Sequence, residues 1–112
     1  MAKFEYKLKG NILDLVNAIH EGILRGSISA SFEDESRYET ENMICIVQVY
    51  ERYSMLGENR VSLSVTVAGD RNNNIFVSGI TSGGSKAVLF KINTFGEEAF
   101  LEHLERIVRE FD

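Results

Sequence analysis

The chain has 112 residues, a formal net charge of −5 and 44% hydrophobic content. That length favours one domain over residues 1–112, large enough to bury a core without a metal or disulfide staple. The acidic balance argues against nucleic acid as the main partner, because phosphate contacts need a basic surface. Cys45 is the single cysteine, which excludes an intramolecular disulfide and thiolate metal clusters.

Residues 3–9 alternate strictly and predict a strand with Phe4, Tyr6 and Leu8 inward and Lys3, Lys7 and Lys9 on its solvent face. Asn11 is a good N-cap, with Asp14 in the first turn that follows. Ile12, Val16, Ile19 and Ile23 then share one face, and Gly26 is a natural stop, so the spacing predicts a helix over about 12–25. His20 falls near the apolar stripe of that helix, where a histidine either bonds a neighbour on the sheet or lines a pocket.

Residues 27–33 alternate again, with Ile28, Ala30 and Phe32 opposite three serines. The acidic run Glu33-Asp34-Glu35 reads with Arg37 to Asn42 as a loop or ragged hairpin. It lacks the spacing of a calcium loop. Residues 43–55 form the longest strand. Met43, Cys45, Val47 and Val49 share one face, and Ile44, Ile46, Gln48, Tyr50 and Arg52 share the other. Leu56 to Asn59 marks a turn, and residues 60–68 alternate between Val61, Leu63, Val65, Val67 and Ser62, Ser64, Thr66. A strong turn at 70–74 precedes a strand over 75–81 with Gly79 inside it. Ser82-Gly83-Gly84-Ser85 predicts a hairpin returning as a sixth strand over 86–92.

Thr94-Phe95-Gly96-Glu97 fits a capping box at a helix start. Phe100, Leu101, Leu104, Ile107, Val108 and Phe111 then recur at helical spacing on one face. Burying them, at about 1.5–3 kcal/mol each, outweighs surface pairs such as Glu105–Arg109, worth roughly 0.2–0.5 kcal/mol. The expected fold is therefore α+β: a curved antiparallel sheet of about six strands, in the order β-α-β-β-β-β-β-α, with both helices packed on one face.

Catalytic motifs are absent: there is no HExxH, GxSxG or CxxC, and Cys45 sits among Ile and Val as an apolar residue. His103 lies at the edge of the last helix's apolar stripe, where partial exposure is expected. Gly83-Gly84-Ser85-Lys86 fails as a phosphate loop because the full pattern is missing. Gln48, Tyr50, Arg52, Ser62, Ser64 and Thr66 would make a polar-aromatic surface if strand register put them on one face. The opening MAKFEYKLKG has no apolar signal core, and no run approaches the ~20 residues of a membrane span. A cytoplasmic protein without membrane or nucleic-acid partners is expected.

The strings YERYSM, NRVSL and GITSGGSKAVLFKINTFGEEAF, with the opening strand and helix, resemble a family of short bacterial proteins classed only as a domain of unknown function. That resemblance covers nearly the whole chain and carries no catalytic residues with it. The element order is also similar to a compact helix-grip arrangement, in which a curved sheet wraps a long C-terminal helix. This chain has one helix after the first strand where such domains commonly have two.

Three readings follow. The first is a non-enzymatic domain binding a small apolar ligand between the sheet and the C-terminal helix, through His20, Tyr50, Arg52, Phe90, Phe100 and Leu104. The second is a homodimer through an open sheet face around Ile44, Ile46, Gln48 and Tyr50. The third, an enzyme of hydrolase type, needs His20 or His103 beside Cys45, a serine or a carboxylate. No cofactor, metal ligand or catalytic residue is assigned.

Overall fold

A computed structural model describes residues 1–54, 59–83 and 90–112, with side chains described for 1–53, 60–83 and 96–112. The elements run β1 (Ala2–Lys9), α1 (Ile12–Gly26), β2 (Ser31–Glu39), β3 (Met43–Ser54), β4 (Asn59–Asp70), β5 (Asn74–Gly83) and α2 (Phe90–Phe111). The protein is α+β, with one antiparallel sheet in the order β1-β5-β4-β3-β2. β2 to β5 form a meander, and β1 returns to pair with β5 at the far edge. That single long-range pairing closes the fold, since it brings the first strand beside the last.

Local chemistry explains the element boundaries. Asn11 caps α1, its Oδ1 accepting the Asp14 N–H at 3.0 Å. Asp70 organises the β4–β5 turn, accepting from the N–H groups of Asn72 and Asn74 at 2.9 and 3.0 Å. Asn73 adopts φ 63°, which asparagine tolerates better than most residues. The hydrogen bonds from Asn74, side chain first, hold the Asp70 carboxyl below the usual range.

Register fixes the two sheet faces. Leu8, Ile75 and Gly69 align in one row, Tyr6, Val77, Val67 and Ile46 in the next, and Phe4, Gly79, Val65 and Gln48 in a third. This face carries both helices. α2 packs on β5, β1 and β4, while α1 packs on α2 and β4. Leu15, Ile19 and Ile23 of α1 and Phe100, Leu104 and Val108 of α2 are fully buried with Leu63, Val65 and Val77.

Two glycines allow this close packing. A Cβ at Gly79 would collide with the Leu104 side chain, and one at Gly26 with the His103 ring. The helix-grip-like slot between the sheet and α2 is therefore filled by side chains.

Three expectations change. Residues 33–39 are not a loop: they continue β2 as an exposed edge strand, with a bulge between Phe32 and Asp34. Its alternation was masked because neither face of this edge is buried. α2 begins at Phe90, so residues 90–92 are helical and Thr94 lies inside the helix rather than at its cap. Glu97 is buried, accepting the Gly83 N–H at 2.7 Å and the Met1 amino group at 2.8 Å, so a tertiary bond takes the place of the box. The turns expected at 56–58 and 84–85, and residues 86–89 of the expected sixth strand, lie outside the described residues.

His103 is nearly fully buried against α1, not half exposed. Burial lowers its pKa, reinforced by the Arg106 and Arg52 charges and opposed by a bond to the Gly22 backbone. The unfolded chain then takes up a proton first as pH falls. This contribution is complete above the unfolded histidine value of about 6.5 and is lost as pH drops toward the folded value. Urea unfolding of the wild type should weaken from pH 7.5 to 5.5 more steeply than that of His103→Gln. Parallel pH profiles would contradict this.

Candidate functional site

α1 lies over the middle of the sheet and leaves β2 uncovered. A groove of about 390 Å³ runs along its flank, lined by Val16, Asn17 and His20 of α1, Phe32, Glu35 and Arg37 of β2, and Gln48 of β3. Register puts Phe32 beside Tyr50 and Glu35 beside Gln48, so β2 and β3 present these four side chains together. The bulge between Phe32 and Asp34 keeps Glu35 and Arg37 on the same side as Phe32.

A hydrogen-bond chain forms the floor of the groove. His20 Nδ1 lies 2.8 Å from the Tyr50 hydroxyl. Tyr50 donates to Gln48 Oε1 at 3.0 Å, and Gln48 Nε2 donates to Glu35 Oε1 at 2.8 Å. One direction satisfies every group: His20 Nδ1–H donates to Tyr50, Tyr50 to Gln48, and Gln48 to the Glu35 carboxylate. In the neutral ring this direction leaves the Nε2 lone pair outside the chain. Tyr50 is fully buried and Gln48 nearly so, and burial, with the Glu35 charge behind it, pushes the Tyr50 pKa well up. The hydroxyl is thereby kept as a donor.

Phe32 closes the groove on its outer side. Its ring meets His20 edge-on at 5.2 Å and Tyr50 at 5.6 Å between centroids. It remains 41% exposed, a large apolar surface beside a polar chain. Arg37 lies 3.8 Å from the second Glu35 oxygen.

The sequence-expected residues separate into two places. His20 and Tyr50 meet in this groove, joined by Gln48. Arg52, Phe100 and Leu104 belong to the α2 side, where the Arg52 guanidinium stacks 4.7 Å over the Phe100 ring and Leu104 is core. Phe90 starts α2, and its side chain lies outside the described residues. Ile44, Ile46, Gln48 and Tyr50 are not on an open face. They lie under the helices, with Ile46 and Tyr50 fully buried. Met43, Cys45, Val47 and Val49 form the uncovered side instead. The two apolar sets of β3 look alike in sequence, and Gln48 and Tyr50 disguise the inner one because their polar atoms pair with each other. Ser62, Ser64 and Thr66 are on the face opposite to Gln48, Tyr50 and Arg52. Glu35 and Arg37 were missed as site residues because the run containing them reads as a loop, and Phe32 because its alternating segment carries no sign of a partner on α1.

The groove holds a titratable chain without a nucleophile in it. Cys45 lies across the sheet from His20, on the other face. Among the described residues no group of three or more His, Cys, Asp or Glu is gathered to hold a metal ion, and no helix is long and apolar enough to cross a membrane.

The whole chain, residues 1–112, matches the sequence model of a family of unknown function, DUF6054. The chain belongs to the DUF6054 family. No curated protein matches it. The family description attaches no activity to DUF6054.

Gln48→Leu would strip the Tyr50 hydroxyl of its acceptor, and Tyr50→Phe would strip Gln48 of its donor. Each should cost about 1–3 kcal/mol in denaturant unfolding, because a buried polar group is left unpaired. The double variant should cost clearly less than the sum. Additive losses would mean that the pair is not coupled.

Proposed function

We propose that this DUF6054 chain is a non-enzymatic binding domain, acting as one unit over residues 1–112, whose site is the groove between α1 and β2. The ligand is small, planar and largely apolar, with a hydrogen-bond donor edge. The observation carrying this reading is the convergence of an exposed aromatic ring, Phe32, with unused acceptor capacity on His20 and Glu35 in one groove of about 390 Å³. Such a volume lies within the usual range for small-molecule sites, which combine apolar walls with a few fixed polar groups.

Charge narrows the class further. The Glu35 carboxylate stands in the groove with the Arg37 guanidinium 3.8 Å away, so a neutral or cationic donor is favoured over an anion. The ligand position shifts from the sheet–α2 slot expected from sequence to the α1 flank, because Phe100 and Leu104 fill that slot. The homodimer reading centred on Ile44 and Ile46 has no support here, since neither is on the uncovered side. A cytoplasmic setting, expected from the sequence, remains part of the proposal.

Benzamidine and benzoate have the same ring and opposite charge, which makes them suitable probes. In amide NMR titrations, benzamidine should move signals of residues 16–20, 32–37 and 48, and benzoate should not. Glu35→Gln should weaken benzamidine binding severalfold while leaving the spectrum folded. Shifts scattered elsewhere, or none with any planar amine or amidine, would remove the proposal.

A further inference from the structure

Among the described residues no helix lies on the other face of the sheet, where apolar side chains of β3 and β5 stand among the serines and the threonine of β4 and β5. Met43 and Ile80 are 43% and 41% exposed, and Phe76, Cys45, Val47 and Val49 are half-buried only by their neighbours in the sheet. A hollow of about 430 Å³ opens beside Ala68, between Phe76 and Met43. A patch of this kind, rimmed by charge, marks a contact surface.

The rows of this face name the occupant. One row reads Lys3, Ile80, Ser64, Val49, Asp34 from β1 to β2. Another reads Lys7, Phe76, Ala68, Cys45, Tyr38. These two rows are each complementary to their own reversal, and the row between them, Glu5, Ser78, Thr66, Val47, Ser36, is polar but for Val47. Turned about β4, Lys3 meets Asp34, Ile80 meets Val49, Phe76 meets Cys45, and Lys7 meets the Tyr38 ring. The small residues Ser64 and Ala68 meet their own copies at the centre. A twofold axis along β4, between two stacked sheets, produces this reversal without shifting the rows.

We infer that the uncovered face is the interface of a homodimer, in which a second copy of this chain stacks sheet to sheet about a twofold axis parallel to β4. The two sheets sit about 10 Å apart, and their twist offsets the rows by roughly 30°. Ile80 and Val49 of the two copies form a dry pair on each side of the axis. Phe76 and Met43 fill the hollow beside Ala68. Five strands at about 4.8 Å spacing, over strand lengths of about eight residues, give roughly 600 Å² per copy and about 1,200 Å² in total, which reaches the range of specific interfaces. Lys3 with Asp34 and Lys7 with Tyr38 lie at the rim, where they set register more than affinity.

Sedimentation velocity of the full chain at about 100 μM, well above the dissociation constant of a specific dimer, should give twice the monomer mass. Val49→Glu and Ile80→Glu, each confirmed as folded by circular dichroism, should each give a monomer. Lys3→Glu and Asp34→Lys should each raise the dissociation constant about tenfold, and the double reversal should return it to within about threefold of wild type. A monomeric wild type would overturn the inference. So would a dimer unmoved by Val49→Glu and Ile80→Glu, or a double reversal no better than either single change.

Discussion

Two helices share one face of a five-stranded sheet, and that constraint organises the rest of the molecule. Helices pack at 8–10 Å from their neighbours, so two side by side cover about four strands of a sheet spaced at about 4.8 Å. Here α2 takes β1, β5 and β4, and α1 is pressed against it over β4. Gly26 and Gly79 let the helices and sheet approach closely enough to bury His103 and Leu104. The cost is that β2 is left without a helix above it.

Both functional proposals grow from that uneven cover. On the helix side, the uncovered step beside β2 becomes the groove, and the polar chain from His20 to Glu35 is what the flank of α1 meets there. The chain is worth more than its net hydrogen bonds, about 0.5–1.5 kcal/mol each, because it keeps Tyr50 and Gln48 satisfied inside the core. It also orients His20 so that one ring nitrogen is committed and the other is available. On the far side no helix among the described residues covers the apolar side chains of β3 and β5, and the order of two rows there, complementary to its own reversal, supplies a partner from within the same sequence.

Much of the architecture was legible in the residues. The strict alternation of β1 and β4, the Asn11 cap, the Asp70 turn and the apolar stripes of both helices each report directly on local structure. The face assignment of β3 was not legible. Period-two alternation separates two sets without saying which is inward, and Gln48 and Tyr50 conceal the inner set because their polarity is cancelled only by contacts distant in sequence. β2 was hidden for a related reason. An edge strand with both sides wet shows no hydrophobic alternation, so Glu35 and Arg37 read as loop. Glu97 shows the opposite error: a sound local capping signal was overridden when its carboxylate found the Gly83 N–H.

The central claim is that helix cover ends before β2. Hydrogen exchange of the dilute chain tests it most directly. Amides of β4 and β5 bonded within the sheet should exchange only with global unfolding, while those of β2 bonded to β3 should exchange at least about tenfold faster through local opening of the edge. Equal protection of β2 and β4 would mean that the edge is covered, and would contradict the account.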